Sequence, residues 1–356
     1  MLFEPFQLRG LTLRNRIVVS PMCQYSSHDG FADDWHLVHL GSRAVGGAGL
    51  VFTEATAVEA KGRISPEDLG LWKDAHVAPL ERVTRYVRGQ GAAVGVQLAH
   101  AGRKASTARP WAGGNPVEPA AGGWRPIVGP SPLPFDAGYQ TPEALDELGI
   151  AALIEAFGTA ARRAVAAGFD VIEIHAAHGY LLHEFLSPVA NRRDDIWGGT
   201  FDNRIRLVLE VVRAVRRHWP DQRPLFVRLS TTDWLGDDGW DVDDSIALAR
   251  RLRPEGVDVI DCSSGGIAPR VPVDAGPGYQ TANAARIRVE APIPIAAVGA
   301  ITSAAQAEHV LRTGQADLVV MARALLADPY WPLHAARELG HPIAWPPQYE
   351  RARPKS

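Results

Sequence analysis

The chain has 356 residues, 46% of them hydrophobic, which is enough to bury the core of one large domain or of two ordinary ones. Its 40 acidic and 37 basic residues nearly cancel, and no run of like charge stands out. This balance excludes the charged surface that nucleic acids and anionic membranes require, so we expect neither as a partner. A small molecule is the expected ligand.

Cysteine content and the N-terminus indicate the compartment. Only two cysteines occur, Cys23 and Cys262, and the first residues lack the basic start and long apolar core of a secretory signal. No apolar run approaches the roughly 20 residues that a membrane-spanning helix needs. The sequence therefore predicts a protein of the reducing cytoplasm.

Strands and helices alternate along most of the chain. Residues 1–13, with a turn at Arg9-Gly10, predict a small hairpin. Apolar runs typical of buried strands then recur eight times, at 17–20, 50–53, 93–97, 170–175, 225–228, 257–261, 293–298 and 316–320. Helical periodicity follows most of them, at 35–45, 76–88, 141–167, 203–218, 242–253 and 303–313.

Eight strand and helix units, with no boundary that splits the series into halves, favour a single (β/α)8 TIM-barrel domain over a doubly wound sheet. Residues 101–142 interrupt the alternation, because they are rich in glycine and proline and carry Trp111 and Trp124. They predict a long loop over the site after the third strand. Residues 341–356 predict a tail that is too rich in proline to extend the last helix. The whole chain, 1–356, is thus expected to be one domain.

The strands of such a barrel all end at one mouth, where active sites lie. Small or polar residues stand at or near those eight ends, namely Cys23, Ala55, Gln97, His175, Arg228, Ser263, Gly299 and Arg323. Their convergence on one rim predicts the active site at this mouth.

The fourth strand carries the strongest chemical signal, because it ends in His175, His178 and Tyr180. By the two-residue period of a strand, Glu173 shares the face of His175. Imidazoles titrate near neutrality and a phenol both donates and accepts, so the three side chains could hold an oxyanion and supply a proton.

Zinc is the alternative ligand for the two histidines, with His100 or His183 as a third protein ligand. No neighbouring strand end supplies a convincing third ligand, and we therefore expect no metal.

Arg228 ends an apolar strand and should face the barrel interior, where a bare guanidinium is costly. Two interpretations stay open together: a core ion pair with Glu173, and a cation held beside an electron-rich cofactor.

Two further loops predict a phosphate site. Gly299-Ala300 follows the seventh strand and Ala322-Arg323 opens the last helical segment, which is where these barrels commonly bind phosphate with backbone N–H groups. Arg323 would add a forked side chain. The alternative is that Gly299 only turns the chain and Arg323 is solvated.

Five stretches carry a resemblance to a known family. They are SPMCQY at 20–25, QLAHAGRK at 97–104, EIHAAHGYLLHEFLSP at 173–188, the stretch 191–206 with its Trp-Gly-Gly and Asp-Asn-Arg, and MAR at 321–323. These stretches resemble the Old Yellow Enzyme family and, more narrowly, its bacterial thermophilic-like branch. The resemblance covers nearly the whole chain.

The resemblance implies an FMN-dependent ene-reductase that takes hydride from NADPH or NADH and gives it to an activated alkene, such as an α,β-unsaturated carbonyl or nitro compound. His175 and His178 would bind the substrate's oxygen, Tyr25 would add a donor, and Tyr180 would protonate the α-carbon. The residues that would line the FMN are Ser20, Pro21, Met22, Cys23, Ala55, Gln97, Arg228, Gly299, Ala300, Ala322 and Arg323. Within the branch, the matching cysteine tunes the flavin potential.

The tail sequence Gln-Tyr-Glu-Arg at 348–351 resembles the end of the same branch, where an arginine reaches the neighbouring subunit's active site. The resemblance therefore implies a homodimer or homotetramer, with Tyr349 and Arg351 completing the substrate pocket in trans. A tail packed on its own barrel is the alternative.

Two residues depart from the family pattern: Trp197 replaces a tyrosine before Gly-Gly, and Ala322 replaces a frequent glycine of the phosphate loop.

Two other functions stay open, a cofactor-free lyase or hydrolase on the same barrel and a protein that only binds flavin. Relatives with an iron–sulfur cluster are excluded because the chain has only two cysteines.

Overall fold

Eight parallel strands close into a barrel in the computed structural model, which describes residues 1–353. Successive strands pair in chain order, and the last pairs with the first. The strands are β1 Ile17–Val19, β2 Leu50–Ala57, β3 Ala93–Ala99, β4 Val171–Ala176, β5 Leu225–Ser230, β6 Val259–Ser263, β7 Ile295–Ala297 and β8 Leu318–Met321. The predicted (β/α)8 barrel is confirmed.

Helices connect the strands and cover the outside of the barrel. They are α1 Asp34–Val45, α2 Val77–Gly89, α3 Glu147–Ala166, α4 Leu181–Leu186, α5 Phe201–Arg204, α6 Arg206–His218, α7 Val242–Leu252, α8 Thr281–Glu290, α9 Ala304–Arg312, α10 Arg323–Ala327 and α11 Trp331–Glu338. None of the helices that the structure describes between residues 1 and 353 is long and apolar enough to cross a membrane.

The two faces of each strand have different neighbours, as the two-residue period predicts. On β4, Ile172 and Ile174 pack with the helices, while Val171 joins the cluster inside the barrel. That inner cluster includes Leu8 and Leu13 from the N-terminal hairpin of Phe6–Leu8 and Leu11–Leu13. The hairpin thus closes the amino ends of the strands, and the opposite mouth holds the functional groups.

Two predicted helices differ in the structure. The helix predicted over 141–167 begins only at Glu147, because Glu143–Ala144 pairs with Val128–Gly129 as a short strand. Asp146 then caps α3, its Oδ1 accepting from the Gly149 N–H at 2.7 Å. The helix predicted over 203–218 is interrupted at Ile205, which separates α5 from α6.

The loop 101–142 lies across the mouth, as predicted. Trp111 packs edge-on against Tyr25, with ring centroids 5.6 Å apart. Asp136 forms an ion pair with Arg270, at 2.6 Å, in the loop that follows β6. These contacts join the excursion to both sides of the mouth.

The tail leaves the barrel after α11 and forms a short 3-10 helix, Pro347–Ala352, on the surface. It does not extend α11, which ends at Glu338. Residues 354–356 of the predicted tail lie outside the described residues.

Gly95 on β3 provides a test of the barrel packing. An added Cβ would lie 2.3 Å from the Phe52 ring, which packs against Phe226 with centroids 5.8 Å apart. We expect Gly95→Ala to lower the free energy of unfolding in urea by about 1–3 kcal/mol through overpacking. The matched control is Gly89→Ala, since no atom lies within 4 Å of that position and alanine should stabilise the end of α2 by up to about 1 kcal/mol. Equal stability of the two variants would contradict this packing.

Candidate active site

The strand register sets polar residues side by side around the mouth. Gln97 lies opposite Glu173, and His175 lies opposite Arg228. Arg228 in turn lies opposite Asp261 on β6. The predicted convergence of strand ends is therefore present, and it includes two buried carboxyl groups below the rim.

The three residues singled out at the end of β4 form one cluster. The ring of His175 lies edge-on to His178 and to Tyr180, each with a centroid separation of 5.1 Å. His178 has a left-handed backbone, with φ 59°, which the following Gly179 continues at φ 70°. This sharp turn brings both imidazoles and the phenol to the same part of the mouth.

Electrostatics keep all three groups uncharged near neutral pH. Burial, and then the positive charge of Arg228, lowers the pKa of His175 and of His178 well below the usual range. Burial also raises the pKa of the Tyr180 phenol well above its usual range. Each imidazole can therefore donate one N–H, and Tyr180 holds its proton.

The neighbours of the ring nitrogens differ between the two imidazoles. His178 Nε2 lies 2.7 Å from Ser263 Oγ, a hydroxyl that can either donate to the ring nitrogen or accept from it. His175 Nδ1 is sealed from solvent without a partner among residues 1–353. A buried lone pair costs less than a buried unpaired N–H, so His175 carries its proton on Nε2.

A second set of residues holds this turn in place. Lys104 Nζ donates to the carbonyl oxygen of His178, at 2.8 Å, and to that of Gly266, at 2.6 Å. The Gly179 N–H donates to His183 Nδ1 at 2.9 Å, and the Nε2 of the same ring faces Asp233 at 3.0 Å. These bonds offset the cost of the left-handed turn.

The two candidate third ligands for zinc contact acidic side chains. His100 lies 3.3 Å from Glu59, and His183 lies 3.0 Å from Asp233. Across residues 1–353, no group of three His, Cys, Asp or Glu side chains could hold a metal ion.

Arg228 has a different ion partner from the one considered in the sequence. The pair with Glu173 was wrong: Arg228 Nε faces Asp261 Oδ2 at 3.4 Å, and Nη1 donates to Ser20 Oγ at 3.0 Å. Glu173 instead accepts from Gln97 Nε2 at 2.8 Å. Arg228 Nη2 makes no bond within the described residues and is not sealed from solvent, so it is available to a ligand.

The loop after β1 brings Ser20, Pro21, Met22, Cys23 and Tyr25 to the mouth. Buried Glu54 anchors it by accepting from the Gln24 N–H at 3.0 Å. Burial, and then the carboxyl groups of Asp68 and Glu54, raises the pKa of the Cys23 thiol well above its usual range. Cys23 is consequently a thiol and not a thiolate near neutral pH, while Cys262 is fully buried among the residues that pack with the helices.

The two predicted phosphate loops line one open cleft. Gly299, Ala300, Ala322 and Arg323 share it, and it extends to Ser263 beside His178. Gly299 and Ala300 have positive φ, 135° and 48°, so their backbone turns sharply at the end of β7. Arg323 is exposed and makes no ion pair within the part of the chain that the structure describes. A cation without a partner in this cleft suits a phosphate ligand.

FMN fits these features on three observations. Arg228 offers a free donor at the centre of the mouth, and Gln97 Oε1 accepts no bond among the described residues. The cleft with Arg323 can take the phosphate. Ala55, from the irregular part of β2, adds a small side chain that leaves room for a flat ring.

Tyr349 and Arg351 are not brought to the mouth of their own chain by any bond within residues 1–353. The Tyr349 hydroxyl lies 3.4 Å from that of Tyr330 at the start of α11, and Arg351 is exposed on the short 3-10 helix.

Several site residues were missed by sequence reasoning. Asp261 was used only as the end of a strand, although an aspartate in the run VDVID carries the same inward period as the residues above it. Lys104 lies in a motif that was used only for resemblance. Ser263 was recognised as a strand end, but its bond to His178 depends on the turn after β4, which no local pattern indicates.

Comparisons with known proteins agree with this geometry. The NADH:flavin oxidoreductase / NADH oxidase family profile matches residues 1–341. The chain is 49% identical over 353 residues to an NADPH dehydrogenase of Geobacillus thermodenitrificans, covering 99% of this chain and 98% of the relative. It is 44% identical over 352 residues to that of Bacillus subtilis, covering 98% of each.

Solved structures show the same fold. Morphinone reductase aligns with a TM-score of 0.79 at 28% identity, covering 98% of this chain and 92% of that one. The old yellow enzyme homologue from Zymomonas mobilis aligns with a TM-score of 0.78 at 26% identity, covering 97% and 94%. These relatives confirm the resemblance that the motifs indicated. With the mouth residues gathered as described, the chain belongs to the NADH:flavin oxidoreductase / NADH oxidase family, as an FMN-dependent oxidoreductase of the Old Yellow Enzyme type that uses NADPH or NADH.

Proposed function

We propose that this oxidoreductase is an ene-reductase, which reduces the C=C bond of α,β-unsaturated carbonyl compounds and of nitroalkenes. The observation that carries the proposal is the cluster of two neutral imidazoles and a protonated phenol beside the residues that fit FMN. A cofactor-free lyase or hydrolase loses its basis, since the chain belongs to a flavin-dependent family.

FMN, when bound, supplies a carrier that takes hydride from NAD(P)H and gives it to the substrate's β-carbon. The residues that would hold it are those of the phosphate cleft, the loop 20–23, Ala55, Gln97 and Arg228. As hydride arrives at the β-carbon, negative charge builds on the carbonyl or nitro oxygen. His175 and His178 would each donate a ring N–H to that oxygen, and Tyr25 would add a hydroxyl.

Neutral donors suit this task. Their bonds to the oxygen strengthen as its charge grows, so they stabilise the transition state more than the ground state. Each such donor contributes on the order of 3 kcal/mol. Because the turn around His178 is fixed by Lys104 and by His183, the donors are already oriented before substrate arrives.

Tyr180 would complete the reaction by protonating the α-carbon. Its raised pKa keeps the proton on the phenol at neutral pH, and its ring is held edge-on to His175 at 5.1 Å. With a proton source next to the oxyanion donors, hydride can add to the β-carbon and a proton to the α-carbon in the same pocket.

Cys23 would act by tuning the flavin and not as a nucleophile. Its raised pKa leaves a neutral thiol, which can pack against an aromatic ring and modulate its potential. A free thiol in this position functions only while reduced, and for this reason we place the enzyme in the cytoplasm.

We also propose a homodimer or homotetramer in which Tyr349 and Arg351 complete a partner's pocket. The tail side chains are exposed on the monomer, Tyr349 at 41%, and within residues 1–353 no bond joins them to the mouth of their own chain. Exposed Trp35 and Val38 on α1 offer further apolar surface to a partner.

The oxyanion donors are tested by the double variant His175→Ala, His178→Ala. We expect FMN to remain bound and to be reduced by NADPH, while reduction of cyclohexenone slows by at least about 100-fold through loss of fixed donors. The measurement is rapid anaerobic mixing, which separates flavin reduction from reoxidation. His309→Ala, an exposed histidine on α9, is the control and should leave both steps unchanged. Unchanged reoxidation in the double variant would refute the role of the histidines.

The shared pocket is tested by subunit mixing. Arg351→Ala alone should impair turnover, whereas Arg353→Ala, a neighbouring exposed arginine paired with Glu350 at 3.3 Å, should not. When Arg351→Ala subunits exchange with His175→Ala, His178→Ala subunits, each mixed pair contains one intact pocket, so activity should rise above that of either variant. If Arg351→Ala is impaired and exchange, verified by mass spectrometry, restores nothing, the arginine acts within its own chain.

A further inference from the structure

Two acidic side chains lie beneath the candidate flavin site and have no place in the proposed reaction. Glu173 and Asp261 are both buried, with 0% and 1% of their surface exposed, and their carboxyl groups are within hydrogen-bonding reach of each other. Glu173 Oε2 and Asp261 Oδ1 are sealed from solvent without a donor among residues 1–353. A pair of ionised carboxylates in this setting would leave two acceptors unpaired and one negative charge uncompensated.

One proton removes both defects. Placed between Glu173 Oε2 and Asp261, it converts the two unpaired acceptors into a donor and its partner. The charges then balance, because Arg228 is the one cation among residues 1–353 that faces the pair and one ionised carboxylate compensates it. The other ionisable group on this face of β4 is His175, which is neutral.

The geometry assigns the proton to Glu173. Asp261 Oδ2 lies 3.4 Å from Arg228 Nε, and an adjacent cation favours the ionised form of that carboxyl. Glu173 has the amide of Gln97 as its other neighbour, with Nε2 donating to Oε1 at 2.8 Å. An amide donor is satisfied by the carbonyl oxygen of a protonated acid.

We propose that Glu173 is a carboxylic acid at neutral pH and that it links Gln97, Asp261, Arg228 and Ser20 into one net-neutral polar chain under the flavin. Hydrogen bonds run from Gln97 through Glu173 to Asp261, an ion pair at 3.4 Å joins Asp261 to Arg228, and Arg228 Nη1 donates to Ser20 Oγ at 3.0 Å. Glu173 and Asp261 are positioning residues, since they act on the flavin through Gln97 and Arg228.

This polar chain has two consequences for a flavin above it. Glu173 Oε1 can only accept a hydrogen bond, so the side-chain amide nitrogen of Gln97 must point toward Glu173. The Oε1 of Gln97 is then free as an acceptor for an N–H of the flavin. Asp261 neutralises part of the field of Arg228, which limits how strongly the guanidinium favours a reduced, anionic flavin. The carboxyl pair thus sets both the orientation and the charge of the groups that face the cofactor.

Two amide substitutions on the FMN-loaded enzyme test the assignment, because they have opposite expected effects. Glu173→Gln mimics the protonated acid, so the flavin midpoint potential should stay at the wild-type value and the FMN Kd should change by less than about threefold. Asp261→Asn removes the charge that compensates Arg228, so the midpoint potential should become more positive. The control is Glu184→Gln, which should leave the midpoint potential unchanged. Glu184 is another buried acid, but it accepts from the Arg103 N–H at 2.8 Å and does not contact Arg228.

Infrared spectroscopy provides an independent measurement on the same proteins. The C=O band of a protonated carboxyl that wild type shows should disappear in Glu173→Gln, while bands of other buried acids such as Asp68 should stay common to wild type and variant. If Asp261→Asn does not fold, wild type and Glu173→Gln alone decide the matter.

A positive shift of the potential in Glu173→Gln would show that Glu173 is ionised and would overturn the proposal. A band that persists in Glu173→Gln and is lost in Asp261→Asn would place the proton on Asp261, with the same consequence. Neither measurement uses an alkene, so failure of the proposed protonation of Glu173 and failure of the proposed ene-reductase activity are distinguishable.

Discussion

The buried guanidinium of Arg228 is the constraint on which the arrangement of the mouth depends. A cation at the end of an inward-facing strand must be compensated, and the register of β5 with β6 supplies Asp261 for this purpose. Burial, and then the same charge, lowers the pKa of His175 and His178, which keeps the imidazoles neutral. Arg228 therefore contributes to the protonation state of its neighbours as well as to the field that a flavin experiences.

Backbone strain at the mouth includes residues with expected roles. Tyr25, His178 and Ala300 all have left-handed backbones, with φ of 49°, 59° and 48°. Such conformations cost of order 1–3 kcal/mol each and persist where the surroundings determine them. Here the surroundings are visible, since Glu54 anchors the loop before Tyr25 and Lys104 holds the carbonyl oxygen of His178. The rigid barrel below supports these turns.

The order of strands and the location of the mouth could be predicted because both follow from local apolar periodicity and from the geometry of parallel barrels. The ion partner of Arg228 could not be predicted from the sequence. Strand β5 lies between β4 and β6, each of which offers an inward carboxyl, and only the side-chain geometry selects Asp261 over Glu173. Helix α8 lies outside the predicted helical ranges for a different reason. Its alanine-rich sequence has little difference in polarity between its faces. The roles of Tyr349 and Arg351 depend on a second subunit and stay predictions.

An anaerobic titration followed by flavin absorbance tests the central claim, that this mouth reduces activated alkenes through FMN. The purified protein should be yellow, NADPH should bleach the flavin band, and one equivalent of cyclohexenone should restore it with formation of cyclohexanone. A flavin that NADPH reduces and that oxygen reoxidises, but that no unsaturated carbonyl or nitroalkene reoxidises, would contradict the assignment.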